Sequence, residues 1–296
     1  MIYIEKNDKP NFLEKIFNII KVQNNTLFLP INIENGNTIL EQNDDNKFSK
    51  NLDINRNNEK QIEKLAAKTK RIIPKLSTSK KVVLSRKMKK EDTYINYLNM
   101  YGFEIADGKW LSEILLTDIV KYIIEKEKIE KANISILIND LTEIEYQNIK
   151  ILAKKYSTIN IVTNHIEKFK KLEEKLQEAD GIVITITNNK RKSLLKSNIV
   201  INVDFPNELF NQYRLNEDSI VVSLKMPIKI KQKRFNGKFI KDYEISYSSE
   251  ICDEKYFSGK YFLKDLYESK LYKCSTFKDL KERIKMDKVK IENLNN

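Results

Sequence analysis

The sequence predicts an α/β protein: a parallel sheet with helices on both faces, an N-terminal α/β segment, and a C-terminal hairpin-and-helix extension. Two observations carry this. First, ISILIN (134–139), TINIVTN (158–164), GIVITITNN (181–189), NIVINVDFP (198–206) and SIVVSLK (219–225) are strand-length runs rich in Ile and Val. Second, EYQNIKILAKKY (145–156) and HIEKFKKLEEKLQEA (165–179) lie between them with apolar residues at helical spacing, such as Leu172 and Leu176. Near-continuous β-branched runs alternating with helices indicate strands buried on both faces and joined by right-handed crossovers.

Taken in order, IYI (2–4) and LFL (27–29) read as short strands around a helix over 11–21, with Phe12, Ile16, Ile19 and Ile20 on its apolar side. These make a β-α-β segment, 1–31. From 32 to 58 the pattern dissolves into Asn among Asp, Glu and Ser, which predicts a flexible linker. The next region, 59–130, is α/β. It holds a helix over 59–73 that stops before Pro74, strand KVVLS (81–85), a helix over 91–100, strand FEIAD (103–107) and one long helix over 110–127. The sheet domain follows over 131–226. In the last region, 227–296, Asn236-Gly237 between KIKQKRF (229–235) and KFIKDYEISY (238–247) predicts a hairpin. Helices are expected over 261–271 and 277–284, with a fraying Asn-rich end.

Composition narrows the chemistry. One histidine and two cysteines, Cys252 and Cys274, do not make a metal-type cluster or a Cys/His pair, so no metal is expected. No apolar run approaches the roughly 18–20 residues of a membrane span, and the first residues lack a secretory pattern, so the expected setting is cytoplasmic with no membrane partner. The net charge of +12 is concentrated in two windows free of acids, Lys64–Lys90 and Lys225–Lys241. A nucleic-acid partner could use such windows, but a chain rich in Lys, Asn and Ile also acquires them through genome composition, so that partner is not favoured.

Ligands of an open parallel sheet sit beyond the carboxyl ends of its strands. The candidates there are Asn139 and Asp140, Asn164 and His165, Asn188 to Lys192, and Asp204. Lys190, Arg191 and Lys192 make the best anion-binding set, and Asp204, before Phe205-Pro206, is expected to shape a turn. After the first strand of the sheet, N-D-L-T-E-I-E lacks the glycines that let backbone N–H groups approach a diphosphate. Thr142 and Glu145 there form an expected capping box.

VTNHIEKFKKL (162–172) resembles the V-x-N-R-T-x-x-K-A-x-x-L segment of glutamyl-tRNA reductases and shikimate dehydrogenases. LQEADGIVITIT (176–187) and NIVINVDFPNEL (198–209) are similar to further segments of those families. The resemblance covers about 134–225 and implies a Rossmann-like domain. It also implies that Asn164 and Lys168 stand where NADPH is gripped, with His165 in place of Arg and Ile166 in place of Thr. Asn139, Asn188 and Lys190 complete the cofactor-binding candidates. The nucleophile segment S-x-C-N-R-x-E is missing, since both cysteines follow the sheet, and no residue is assigned a catalytic role. The expected function is that of a diverged relative of NAD(P)-dependent dehydrogenases that binds a partner or a small anion, with NAD(P) disfavoured. The alternatives are an oxidoreductase with an atypical cofactor site and a nucleic-acid-associated protein.

Overall fold

A computed structural model of the chain describes residues 1–31, 45–248 and 259–295, with 45–58 described as backbone alone. It divides into two compact units, Met1–Asp107 with Cys252–Lys270, and Gly108–Ile251 with Leu271–Asn296. The described strands form parallel sheets flanked by helices, together with an antiparallel pair in the C-terminal region.

The first unit carries strands β1 (Ile2–Lys6), β2 (Lys21–Gln23), β3 (Thr26–Leu29), β4 (Lys81–Leu84) and β5 (Glu104–Ala106). They form a five-stranded sheet in the order β2-β3-β1-β4-β5. All neighbours are parallel except β2 on β3. The first strand is therefore internal, and the connections that follow β1 and β4 build outward in opposite directions. Helix α1 (Phe12–Phe17) starts at a capping box between Asn11 and Glu14. It ends at Asn18, whose φ of 49° is left-handed. This corrects the expected helix over 11–21: the cap closes it early, and Phe12, Ile16 and Ile19 are exposed rather than packed. Only Ile20 packs against the core. Lys21 then enters β2, and Asn24 and Asn25, both at positive φ, turn the chain back into β3.

Helix α2 (Asp45–Leu76) contains Pro74, where the sequence predicted a stop. In the last turn a proline forfeits one backbone bond, and the helix ends two residues later. The Asn-rich stretch expected as a linker lies outside the described residues over 32–44, while 45–58 forms the first turns of α2. Helix α3 (Asp92–Met100) follows, and Tyr94, fully buried, shares a 2.8 Å hydrogen bond with Thr69 of α2. Ile2, Ile4, Leu27, Leu65, Leu84 and Leu98 build the core around them.

The second unit begins with α4 (Lys109–Ile114) and α5 (Leu116–Lys126), divided at Leu115 where one helix was expected. Leu115 has φ −85° and ψ 6°, outside helical geometry. Strands β6 (Asn133–Leu137), β7 (Thr158–Val162), β8 (Thr185–Thr187), β9 (Ile199–Asn202), β10 (Ile220–Val222) and β11 (Lys238–Ile240) form one parallel sheet. Its order is β11-β10-β9-β6-β7-β8. Numbered within the unit this is 6-5-4-1-2-3, the doubly wound Rossmann-like order, whose switch point lies between β6 and β9. Helices α6 (Glu143–Lys155), α7 (Ile166–Asp180), α8 (Lys190–Lys196) and α9 (Asn207–Phe210) connect the strands. Gly181, at φ 65°, closes α7.

The C-terminal region holds an antiparallel pair and helices, but the pair is not the one flanking Asn236-Gly237. Strand β12 (Asp242–Ser246) pairs with β13 (Lys290–Asn295), the segment expected to fray. Helices α10 (Leu263–Leu271) and α11 (Phe277–Met286) lie between them in sequence. Gly237 serves a close approach instead of a turn. A Cβ there would fall 2.0 Å from the Ser219 carbonyl oxygen, at the start of β10.

Candidate functional site

The carboxyl edge of the second sheet carries the residues nominated by sequence. At the switch point the chain leaves β6 through Asn139 and Asp140 and leaves β9 through Asp204. The Asp204 carboxylate accepts from the Asn139 backbone N–H at 2.9 and 2.8 Å and from the Asp140 N–H at 2.8 Å. The Asn139 side-chain amide adds a contact at 3.3 Å, and its oxygen accepts the Asn164 N–H at 3.0 Å. Burial pushes the Asp204 carboxyl above the ordinary carboxylate range; the two backbone donors work against this, and the charges of Asp140 and Glu145 add to it.

These N–H groups open the first crossover, the place where a Rossmann-type site offers donors to a pyrophosphate. Here a protein carboxylate already fills them. The start of α6 is closed as well. The Glu145 carboxylate accepts the Thr142 N–H at 2.7 Å and the Thr142 hydroxyl, and the Glu145 N–H returns to the Thr142 oxygen. Asp140 points its charge at Lys168, 3.0 Å away, and this hydrogen bond holds its carboxyl below the usual range.

Asn139, Asn164, Asp140, Lys168 and Asp204 thus form one connected network. His165 stays outside it: the side chain is exposed, and its backbone N–H donates to the Thr163 hydroxyl at 3.0 Å. At the end of β8, Asn188 is exposed, and Asn189 caps α8 by accepting the Lys192 N–H at 3.1 Å. The three basic residues there do not act as one set. Arg191 and Lys192 are exposed, whereas Lys190 is buried, its Nζ 5.9 Å from the Phe205 and Tyr213 ring centres. Burial lowers its pKa below the ordinary lysine value.

Sequence reasoning placed Asp204 correctly at the turn and missed its partners, 65 residues away in the chain. A second missed pair is Lys225 with Glu113, at 2.8 Å. Burial raises the Glu113 pKa even with that lysine alongside.

No protein-family model matches the chain, and no curated protein is similar to it in sequence. Among solved structures, the D-arabinose dehydrogenase of Sulfolobus solfataricus is 14% identical, with a TM-score of 0.32, over 55% of this chain and 49% of that one. The Δ1-pyrroline-2-carboxylate reductase of Thermococcus litoralis, solved with NADH and L-proline, is 14% identical with a TM-score of 0.27, over 39% and 36%. The ornithine carbamoyltransferase of Pyrococcus furiosus is 11% identical with a TM-score of 0.28, over 90% and 80%. The chain spans less than half the length of the first two. The fold assignment rests on strand order, to which these scores add nothing.

Proposed function

We propose that the chain is a diverged relative of the NAD(P)-dependent dehydrogenases and reductases, in which the Rossmann-like unit has given up the dinucleotide and the protein binds a small anion or a partner. The single observation that carries this is the Asp204 carboxylate on the Asn139 and Asp140 N–H groups. A pyrophosphate entering there would have to displace a hydrogen-bonded carboxylate and then face Asp140. Like charges about 4 Å apart repel by roughly 4 kcal/mol at an effective dielectric near 20. The residues present therefore do not fit NAD(P).

The likeness of 162–172 to glutamyl-tRNA reductases and shikimate dehydrogenases belongs to the same reading. Asn164 keeps its place after β7, but Lys168 is engaged by Asp140 rather than free for a ribose phosphate. The nucleic-acid alternative is weakened because acids from outside the basic windows answer some of their lysines. Lys81 pairs with Glu104, Lys87 with Asp8, Lys225 with Glu113 and Lys238 with Glu127.

Titration calorimetry with NADH and NADPH tests the proposal. The expected result is no saturable heat at micromolar nucleotide. A micromolar dissociation constant for either would replace this reading with the oxidoreductase one.

A further inference from the structure

The first unit has a switch point of its own, between β1 and β4, and there the crevice is open. A cavity of about 520 Å³ lies at the carboxyl ends of these strands. Its walls include Lys6, Asn7 and Lys9 after β1, Arg86 and Lys87 after β4, and Lys260. The volume falls in the range of roughly 300–1,000 Å³ that suits a small ligand.

Charge makes the crevice selective. It is lined by five cations, Lys6, Lys9, Arg86, Lys87 and Lys260, against two carboxylates, Glu5 and Asp8. Both carboxylates are already committed. Glu5, buried, accepts from Lys260 Nζ and from the Tyr261 hydroxyl, each at 2.8 Å. Asp8 takes Lys87 at 2.7 Å. Among the described residues Lys9 and Arg86 make no ion pair.

Arg86 is also held in place. Its backbone N–H donates to the Lys260 carbonyl at 2.8 Å, its Nε donates to the Tyr261 carbonyl at 3.2 Å, and its guanidinium lies 4.7 Å over the Phe262 ring. These contacts hold the guanidinium while its terminal nitrogens make no hydrogen bond among the described residues. An anchored guanidinium is a preorganised fork for a phosphate, because little side-chain freedom remains to be lost on binding.

We propose that this crevice binds the phosphate group of a small phosphorylated molecule, with Arg86 as the fork and the exposed Lys9 as a second cation. The inference rests on the small-anion reading above and moves the anion from Arg191 and Lys192 to the first unit.

Calorimetry on the full chain at low salt, with inorganic pyrophosphate, ribose 5-phosphate and ribose, tests it. Both phosphates are expected to bind and ribose is not. Arg86→Ala should weaken phosphate binding about tenfold or more, as expected for loss of a charge-assisted contact. Lys9→Ala, at an exposed side chain, should weaken it by about threefold, the scale of a solvent-exposed ion pair. That second variant carries the test should Arg86→Ala fail to fold. Absence of heat with either phosphate at millimolar concentration overturns the proposal, as does binding that survives both variants. Loss of binding in the double variant Arg191→Ala, Lys192→Ala would also overturn it, yet would leave the small-anion reading standing. NADH binding bears on that reading alone.

Discussion

The two units solve the same topological problem and leave opposite results at the switch point. In both, the first strand is internal, and the connections after two neighbouring strands diverge to open a crevice at their carboxyl ends. In the second unit the strand after the switch delivers Asp204, whose carboxylate satisfies the N–H groups of Asn139 and Asp140. In the first unit the equivalent strand delivers Arg86 and Lys87, and the nearby carboxylates are engaged, Asp8 by Lys87 and Glu5 by Lys260. Topology creates a crevice, but whether it can hold an anion depends on the sign of one or two residues at the strand ends.

The largest effect that could break this comparison is expected at Asp204. Asp204→Ala leaves two backbone donors without their charged acceptor and should destabilise the second unit by about 3 kcal/mol in urea unfolding. Asp204→Asn keeps one acceptor and should cost about half of that. A loss below about 0.5 kcal/mol for Asp204→Ala, within the range of ordinary surface changes, would mean that the carboxylate does not hold the crevice shut.

Asp265 sharpens the contrast from the other side. It is fully buried beside Lys89, at 2.6 Å, and burial pushes its carboxyl up to about 6. The folded state thus holds the proton more tightly than the unfolded chain. Stability from this group is present in full below the ordinary value of 3.8 and is lost as pH rises to about 6. The first unit should therefore lose on the order of 2 kcal/mol between pH 4 and pH 7 through this residue alone. Asp265→Asn should remove that part of the slope in urea midpoints taken across the range, and an unchanged slope would refute the assignment.

How far the sequence discloses these features depends on how local they are. The β6, β7, β9 and β10 runs were legible because strands inside the sheet require near-continuous Ile and Val, and the Thr142–Glu145 cap because its two members are three residues apart. Asn236-Gly237 misled because glycine serves close approach as well as turns, and here Ser219 is what it meets. The helix over 11–21 misled because its periodicity continued past Asn18, where the backbone becomes left-handed. The Asp204 closure and the Arg86 crevice were not legible. The first joins residues 65 apart; the second brings 5 to 9 together with 86, 87 and 260, and no spacing in the chain announces a parallel register.

The smallest expected effect concerns the second basic window. Lys231, Lys233 and Arg234 changed together to Glu should leave RNA and DNA retention at physiological salt unaltered, because no tight binding is expected there. A dedicated site would instead show tight retention in the parent, falling by orders of magnitude between about 50 and 200 mM salt. Abolition of that retention in the variant would then assign it to this window.

The difference between the two crevices is tested most directly by backbone amide chemical shifts of the full chain, recorded as inorganic pyrophosphate is added. The expected result is a saturable shift at Asn7, Asp8, Arg86 and Lys87, with Asn139 and Asp140 unmoved. A saturable shift at Asn139 and Asp140 with the first-unit amides still would contradict the account, since it would mean that the carboxylate of Asp204 yields to a diphosphate while the basic crevice does not take one.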